Sequence, residues 1–201
     1  MSVTASGDSL VELLEVMRRL RSDCEWKRSQ THRSLARYLL EESHETLEAI
    51  DGGDPEHLRE ELGDLLLQVY FHAVIAEETG EFTIDDVAAG ITEKMRRRNP
   101  HVFGDAREGT MTPAEVNELW ESVKATEKHR GSVTDGLPPG LPALLYADKV
   151  VDRLGRTGVT TQVDPEEPDL GERLLALVVE AHDDGVDPEQ ALRDAVRRRL
   201  D

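Results

Sequence analysis

The chain has 201 residues, a length typical of one domain or of one domain with an additional segment. Its 24 basic and 42 acidic residues give a net charge of −18, and only 4% of its residues are aromatic. This charge argues against nucleic acid and anionic membranes as partners, because binding to phosphate-rich surfaces needs clustered lysine and arginine. A single cysteine, Cys24, excludes an intrachain disulfide framework, and the N-terminus lacks the features of a signal peptide, so we expect a cytoplasmic protein.

Helical periodicity runs through most of the chain. Apolar residues recur every three or four positions in five segments: 9–22, 31–51, 54–80, 83–98 and 111–130. Asp54 and Pro55 provide a start signal for the third segment, and Gly80 provides its stop signal. Residues 99–106 are predicted as a loop, and the β-like stretch 158–163 is too short and isolated to build a sheet. The pattern therefore predicts an all-α protein.

The C-terminal part of the chain is predicted as a separate helical segment. Residues 131–142 are rich in glycine and proline and have the composition of a linker. Further helical patterns follow it, at 143–155, 170–185 and 187–200. Residues 169–182 resemble residues 61–74, which indicates a partial internal repeat. We therefore divide the chain into a first helical domain at 1–130, the linker, and a tail at 143–201.

Four carboxylates flank a turn centred on Gly53, in the pairs Glu42/Glu45 and Glu61/Asp64. Residues three apart lie on the same face of a helix, so the members of each pair project together. Glu45 and Glu61 each lie eight residues from Gly53. Glu42 and Asp64 each lie eleven residues from it. An antiparallel helical hairpin around this turn therefore places all four carboxylates in one patch.

The carboxylate patch has competing interpretations. Like charges at this spacing are unfavourable unless a cation lies between them, and oxygen-only ligands favour Mg²⁺, Mn²⁺ or Ca²⁺ over zinc. The alternative is a solvated acidic surface, because glutamate is a strong helix former and the chain is acidic throughout. A di-iron bundle is a poor fit, since the only E-x-x-H motif runs from Glu41 to His44.

A few basic and aromatic residues are candidates for contact with phosphates or a base. Lys94 and Arg98 are four apart on one helix face, and Trp120 and Lys124 are four apart on another. Lys27 lies in a polar segment between the first two predicted helices. Simpler interpretations exist: basic residues at a helix end complement its dipole, and Trp120 is equally compatible with a core position.

Several motifs of this chain, in order, resemble those of the MazG-type nucleoside triphosphate pyrophosphohydrolases. EESHE at 41–45 with ELGD at 61–64 resembles the family signature E-E-x-x-E…E-x-x-D. CEWKRSQTHRSL resembles C-P-W-D-x-x-Q-T-H-x-S-L, and MRRRNPHVFGD resembles R-R-H-P-H-V-F-G-D. The resemblance covers roughly residues 9–150. It implies an all-α fold in which antiparallel helical hairpins form a four-helix-bundle unit completed by dimerisation, with the tail as a degenerate half-repeat.

The resemblance also implies an activity and a set of site residues. The implied reaction is Mg²⁺-dependent cleavage of a (d)NTP to (d)NMP and pyrophosphate, with Mn²⁺ as an alternative ion and with removal of unwanted nucleotides as the role. The implied metal ligands are Glu42, Glu45, Glu61 and Asp64. Glu41 matches the leading glutamate of the motif and is the candidate catalytic residue that orients or deprotonates water. The candidate substrate-binding residues are Lys27, Lys94, Arg98, Trp120 and Lys124.

Departures from the family pattern leave a second hypothesis open. Glu25 and Lys27 stand where the family usually has proline and aspartate, which bears on nucleotide preference. Asp169 and Glu172 stand where a second E-x-x-D would be, but no E-E-x-x-E precedes them, so the tail is predicted to be inactive. The alternative to an enzyme is a non-catalytic nucleotide-binding or regulatory helical module. A homo-oligomer, either a dimer or a dimer of dimers, is expected.

Overall fold

The computed structural model describes residues 7–104, 111–127, 131–164 and 168–200. The helices in these ranges are α1 (Asp8–Asp23), α2 (Glu25–Arg28), α3 (His32–Gly52), α4 (Pro55–Thr79), α5 (Ile84–Arg98), α6 (Pro100–Phe103), α7 (Pro113–Glu127), α8 (Ala143–Arg156), α9 (Leu170–Asp183) and α10 (Pro188–Arg197). None of the residues in these ranges belongs to a strand, so the all-α prediction is confirmed. No described helix combines the length and apolar character needed to cross a membrane.

The chain forms two compact units, Met1–Val123 and Lys124–Asp201, and the division lies within α7. In the first unit, α3 and α4 form an antiparallel hairpin and α1 packs on α4. In the second unit, α8, α9 and α10 pack against one another. The domain and linker boundaries drawn from the sequence stay predictions.

Local backbone signals define the α3–α4 hairpin. The Thr31 side chain accepts a hydrogen bond from Ser34 N, and the Ser34 side chain accepts one from Thr31 N, which forms a capping box at the start of α3. Gly53 ends α3 in the left-handed region, with φ 70° and ψ 11°. Asp54 then caps α4, because its side chain accepts a hydrogen bond from Glu56 N. The turn predicted around Gly53 is therefore present, and it reverses the chain within two residues.

The core of the first unit lies where α1, α3 and the second half of α4 meet. Its buried members are Met17, Leu35, Tyr70, Phe71, Val74 and Ile75. Full burial of a side chain of this size contributes roughly 1.5–3 kcal/mol, so this cluster is the main source of stability for the hairpin. The carboxylates of the hairpin lie nearer the turn, where α3 and α4 are less deeply covered.

A buried arginine connects α1, α2 and α4. Arg21 is 7% exposed, and its Nε donates to Glu78 Oε1 of α4 at 2.8 Å. Its Nη1 donates to the carbonyl oxygens of Lys27, Arg28 (3.1 Å) and Gln30 (3.0 Å). The hydrogen bond from Arg21 lowers the pKa of Glu78, although partial burial of that carboxyl acts in the opposite direction. One guanidinium therefore holds the α2 segment against two long helices.

The structure contains two short helices in segments that the sequence analysis predicted as loops. The loop predicted at 99–106 is wrong for Pro100–Phe103, which form α6; residues 105 and 106 lie outside the described ranges. Pro100 occupies the first helical position, where its missing N–H is tolerated, and Asn99 O accepts hydrogen bonds from Val102 N and Phe103 N. The segment between α1 and α3 likewise contains the short helix α2. One-turn helices lack the apolar period on which the sequence analysis depended.

The second unit has a small core and a partly exposed contact between a histidine and an aspartate. Val151, Ala176 and Val178 are buried between its helices. His182 Nδ1 of α9 lies 2.9 Å from Asp148 Oδ1 of α8. The pair connects two neighbouring helices of this unit.

Replacement of Arg21 tests how far the first unit depends on this residue. In Arg21→Met we expect the free energy of unfolding to fall by about 1–3 kcal/mol, because three carbonyl oxygens lose their donor in a partly buried setting. The measurement is urea denaturation followed by circular dichroism. Arg19→Met is the matched control, since Arg19 is exposed on the same helix and pairs with exposed Asp23. An equal fall in the free energy of unfolding for the two substitutions would contradict the role of Arg21 in holding α2 against α1 and α4.

Candidate metal and nucleotide site

Three of the four predicted metal ligands converge in the structure. Carboxylate oxygens of Glu42 and Glu45 on α3 and of Glu61 on α4 all lie within 4.8 Å of one another. Asp64 is outside this trio, but it lies close enough for its charge to raise the pKa of Glu42. The hairpin therefore brings the predicted patch together, with Glu42 at the centre of the interactions.

The environment of Glu42 raises the pKa of its carboxyl above the ordinary value. Burial is the largest cause of its raised pKa, followed by the charges of Asp64 and Glu45, a hydrogen bond with Glu45 and the charge of Glu41. A dication placed among these oxygens would reverse the effect, because it attracts the ionised form. All donors are carboxylate oxygens, which fits Mg²⁺ or Mn²⁺ rather than a softer metal. The residues present therefore fit the implied cofactor.

Polar side chains behind the carboxylates tie the two helices together. Thr46 is buried, and its Oγ1 donates to Glu42 O at 2.7 Å and lies 3.5 Å from Glu61 O on the opposite helix. Gln68 Nε2 lies 3.4 Å from Glu42 Oε1. His57 Nε2 lies 3.2 Å from Glu61 Oε1. Two of the candidate ligands therefore already have a protein partner that restricts their orientation.

Lys27 lies in an aromatic setting that the sequence analysis did not foresee. Its Nζ is 5.2 Å from the Trp26 ring centroid and 5.3 Å from that of Phe71. The Trp26 ring, 50% exposed, meets Tyr38 edge-on at 6.2 Å. Tyr38 precedes Glu42 by four residues on one face of α3, about 6 Å along the helix. Trp26 was missed as a candidate, although an exposed tryptophan in an aromatic-poor chain was a usable signal.

Two of the other substrate-side candidates, Arg98 and Trp120, are in contact. The Arg98 guanidinium of α5 lies 5.2 Å from the ring centroid of Trp120 on α7. Lys94 is half-buried one turn before Arg98, and Lys124 follows Trp120 by one turn at the first residue of the second unit. Arg98 and Trp120 therefore lie close together. The carboxylate cluster, in contrast, is formed by residues of α3 and α4. The proposed roles of these four residues stay predictions.

Glu41 and the acidic pair of the tail occupy different settings. Glu41 is exposed next to Glu42, and its charge adds to the rise in the pKa of Glu42. In the tail, Asp169 caps α9, because its Oδ1 accepts a hydrogen bond from Glu172 N at 3.0 Å. Within the ranges that the structure describes, the only trio of converging metal-ligand side chains is Glu42, Glu45 and Glu61.

Comparison with known proteins agrees with this site. Residues 30–103 match the model of the MazG nucleotide pyrophosphohydrolase domain. A protein of Thermotoga maritima named nucleoside triphosphate pyrophosphohydrolase/pyrophosphatase MazG is 40% identical over 96% of this chain and 83% of its own length. The chain belongs to the MazG family. The matched residues of this MazG-family chain contain α3, α4 and all four candidate ligands.

Other relatives extend the similarity along the chain. The nucleoside triphosphate pyrophosphohydrolase of Mycobacterium tuberculosis is 43% identical over 97% of this chain, which spans 57% of that protein's length. An uncharacterized 26.1 kDa protein of Streptomyces cacaoi is 46% identical over 94% of this chain and 78% of its own length. Similarity to MazG-family proteins therefore continues through the tail as well as the matched domain.

The charge of Glu42 should reduce the stability of the metal-free protein. We expect Glu42→Gln to raise the free energy of unfolding at pH 7 by roughly 0.5 kcal/mol, because it removes like-charge repulsion. A raised carboxyl pKa means that the folded chain binds more protons, so the gain should shrink as pH falls and Glu42 becomes neutral. Thermal unfolding with a chelator at pH 7 and pH 4 measures this.

Glu60→Gln is the control for this prediction, since Glu60 is exposed and adjacent to Glu61 on α4. This substitution should change the midpoint of thermal unfolding little at pH 7 and at pH 4. A lower midpoint for Glu42→Gln at pH 7 would show that its charge stabilises the metal-free fold.

Proposed function

We propose that this chain is a metal-dependent nucleoside triphosphate pyrophosphohydrolase that cleaves a (d)NTP into (d)NMP and pyrophosphate. The observation that carries the proposal is the convergence of Glu42, Glu45 and Glu61 within 4.8 Å on the hairpin matched by the MazG domain model. Relatives from Thermotoga maritima and Mycobacterium tuberculosis bear the name of this activity. The proposed role is removal of unwanted nucleotides in the cytoplasm.

The proposed metal ligands are Glu42, Glu45, Glu61 and Asp64, and the proposed ion is Mg²⁺ or Mn²⁺. When bound, such an ion activates a water molecule and offsets the negative charge of the triphosphate. The four carboxylates supply the hard oxygen donors that it requires. The raised pKa of Glu42 supports this assignment, because the cluster lacks internal charge compensation at that position.

The chain's own residues then have defined tasks in the reaction. A water oxygen attacks the α-phosphorus, the bond from that phosphorus to the bridging oxygen breaks, and pyrophosphate leaves. Glu41, exposed beside Glu42, is proposed to take the proton of the attacking water. Basic side chains stabilise the charge that develops on the leaving pyrophosphate. The proposed substrate-binding residues are Lys27, Lys94, Arg98, Trp120 and Lys124.

Product analysis on a panel of NTPs and dNTPs with Mg²⁺ tests the reaction. We expect NMP and pyrophosphate in equal amounts. Glu42→Gln and Asp64→Asn should each reduce kcat/KM by about 100-fold or more, because a ligand carboxylate is lost from the dication site. Glu60→Gln, which alters an exposed neighbour, should retain activity. Release of NDP and orthophosphate would contradict the proposed bond cleavage.

The second hypothesis is a non-catalytic nucleotide-binding or regulatory module. It predicts a different experimental result for the same protein. Calorimetry at saturating Mg²⁺ would then show nucleotide binding without any product over time. Full activity of both carboxylate variants would also favour it. The convergent carboxylates favour the enzyme, because binding of a nucleotide alone does not require this concentration of negative charge.

Trp26 and Lys27 are proposed as the contacts nearest to the base and the phosphates, respectively. The half-exposed indole offers a stacking face, and the ammonium group is held close to it. Trp26 contacts Tyr38, which lies one helical turn from Glu42 on α3. The α2 segment therefore adjoins the helix that carries Glu42 and Glu45, which supports placing the base and phosphate contacts there.

Substitution of Trp26 tests this arrangement. We expect Trp26→Ala to raise KM about 5- to 100-fold, equivalent to about 1–3 kcal/mol of lost stacking, with a smaller effect on kcat. Lys27→Met should raise KM through lost charge while the indole is retained. Steady-state kinetics with the preferred nucleotide give both values, and an unchanged KM in Trp26→Ala would contradict the stacking role. Trp26→Phe, which keeps an aromatic face, is the matched control.

We also propose that the α3–α4 hairpin pairs with the same hairpin of a second copy. Both of its helices expose large apolar side chains at heptad spacing, Leu40 with Leu47 on α3 and Leu62 with Val69 on α4. Two helices with an uncovered apolar face are half of a four-helix bundle. A second copy supplies a face of the same chemistry through two-fold symmetry.

Light scattering after size-exclusion chromatography tests the pairing. We expect the wild-type chain to have at least twice the mass of a monomer. The double substitution Leu40→Glu/Leu62→Glu should yield the monomer mass, because two charges would be buried in the apolar interface. Leu200→Glu, at an 82% exposed position near the C-terminus, is the control and should leave the mass unchanged. A wild-type monomer would contradict the proposal.

A further inference from the structure

Gln68 is a buried amide whose hydrogen-bonding capacity is mostly unused. It lies on α4, one turn after Asp64, and is 4% exposed. Its Nε2 lies 3.4 Å from Glu42 Oε1, a long hydrogen bond. Its Oε1 is buried and has no hydrogen-bond partner among the described residues. Such an unpartnered buried acceptor destabilises the fold, and a leucine or methionine at the same position would avoid this cost.

The chemistry of the neighbours sets the direction of this amide. An ionised Glu42 carboxylate only accepts hydrogen bonds, so the NH₂ end of Gln68 must face it. The oxygen end is then directed away from Glu42 and is the buried atom without a partner. The groups of the carboxylate cluster, Glu45, Glu61 and Asp64, are themselves acceptors when ionised and cannot satisfy it. The acceptor therefore requires a donor that is not one of the site's own carboxylates.

We infer that Gln68 is a positioning residue of the metal site. Its Nε2 donates to Glu42 Oε1 and so restricts the orientation of that carboxylate. Groups that orient metal ligands in this way are worth about 10- to 100-fold in metal affinity. The inference rests on the proposed function only in that a dication binds the carboxylates, and it does not depend on which nucleotide is cleaved.

A purely structural role for Gln68 predicts the opposite effect of its replacement on the stability of the metal-free protein. If the amide were a packing element of the hairpin, its replacement by an apolar side chain would lower the unfolding midpoint. A positioning role predicts that the metal-free protein is as stable or more stable without the amide, because a buried unpartnered polar atom is removed. Metal affinity and metal-free stability should therefore change in opposite directions.

The experiment measures Mn²⁺ binding by calorimetry to the full chain in the absence of nucleotide. Gln68→Met is the test variant, because methionine has nearly the shape of glutamine but no hydrogen-bonding amide. We expect its Kd for Mn²⁺ to rise about 10- to 100-fold. Gln190→Met, on α10 of the second unit, is the matched control and should keep the wild-type Kd. If Gln68→Met fails to fold, Gln68→Leu replaces it.

Two further readouts separate positioning from a structural defect. The unfolding midpoint of metal-free Gln68→Met should equal or exceed that of the wild type. Nucleotide hydrolysis by this variant should approach the wild-type kcat when Mn²⁺ is raised to saturation, because the chemical groups themselves are intact.

The outcomes distinguish this inference from the proposed function. An unchanged Kd in Gln68→Met overturns the positioning role, even if the wild type hydrolyses nucleotides. A lower midpoint of the metal-free variant also overturns it, since the amide would then be a structural element. Wild-type protein that binds Mn²⁺ without hydrolysing any nucleotide overturns the proposed function and leaves the positioning role intact. Wild-type protein that binds no Mn²⁺ overturns both.

Discussion

The packing of α3 against α4 is the constraint on which the candidate site depends. It forces Glu42 and Glu45 to face Glu61 across the hairpin, although like charges repel. Each such pair costs a few tenths of a kcal/mol, whereas burial of each core side chain farther along the hairpin contributes roughly 1.5–3 kcal/mol. Hydrophobic burial at one end can therefore hold an electrostatically unfavourable cluster at the other, ready for a cation.

One face of α4 carries Asp64 near the turn and several buried or paired residues farther from it. Its members recur at alternating intervals of four and three residues: Asp64, Gln68, Phe71, Ile75 and Glu78. From the turn onwards, the face passes from a candidate ligand to a buried amide, then to the ring beneath Lys27, and finally to the partner of Arg21. The α2 segment that carries Trp26 is thus fixed to the helix that carries Glu61 and Asp64.

Sequence reasoning succeeded where the signal was local. Gly53 and Asp54 end one helix and begin the next as their residue types indicate, and equal distances from Gly53 correctly brought three carboxylates together. It missed Arg21 and Gln68, which look like ordinary polar positions of amphipathic helices. It also missed Trp26, because nothing adjacent in the sequence shows that α2 is held near Tyr38.

Caps and helical periodicity act between residues three or four apart, so the long helices, the turn and the spacing of the acidic pairs could be predicted from the sequence. Tertiary structure alone decided which side chains became buried and what they met. Gln68 reaches Glu42 across 26 positions, and Arg21 reaches Glu78 across 57. Burial and pairing at such separations depend on how whole helices pack. The sequence therefore predicted a four-carboxylate patch, and packing determined which of its members converge and which amide lies behind them.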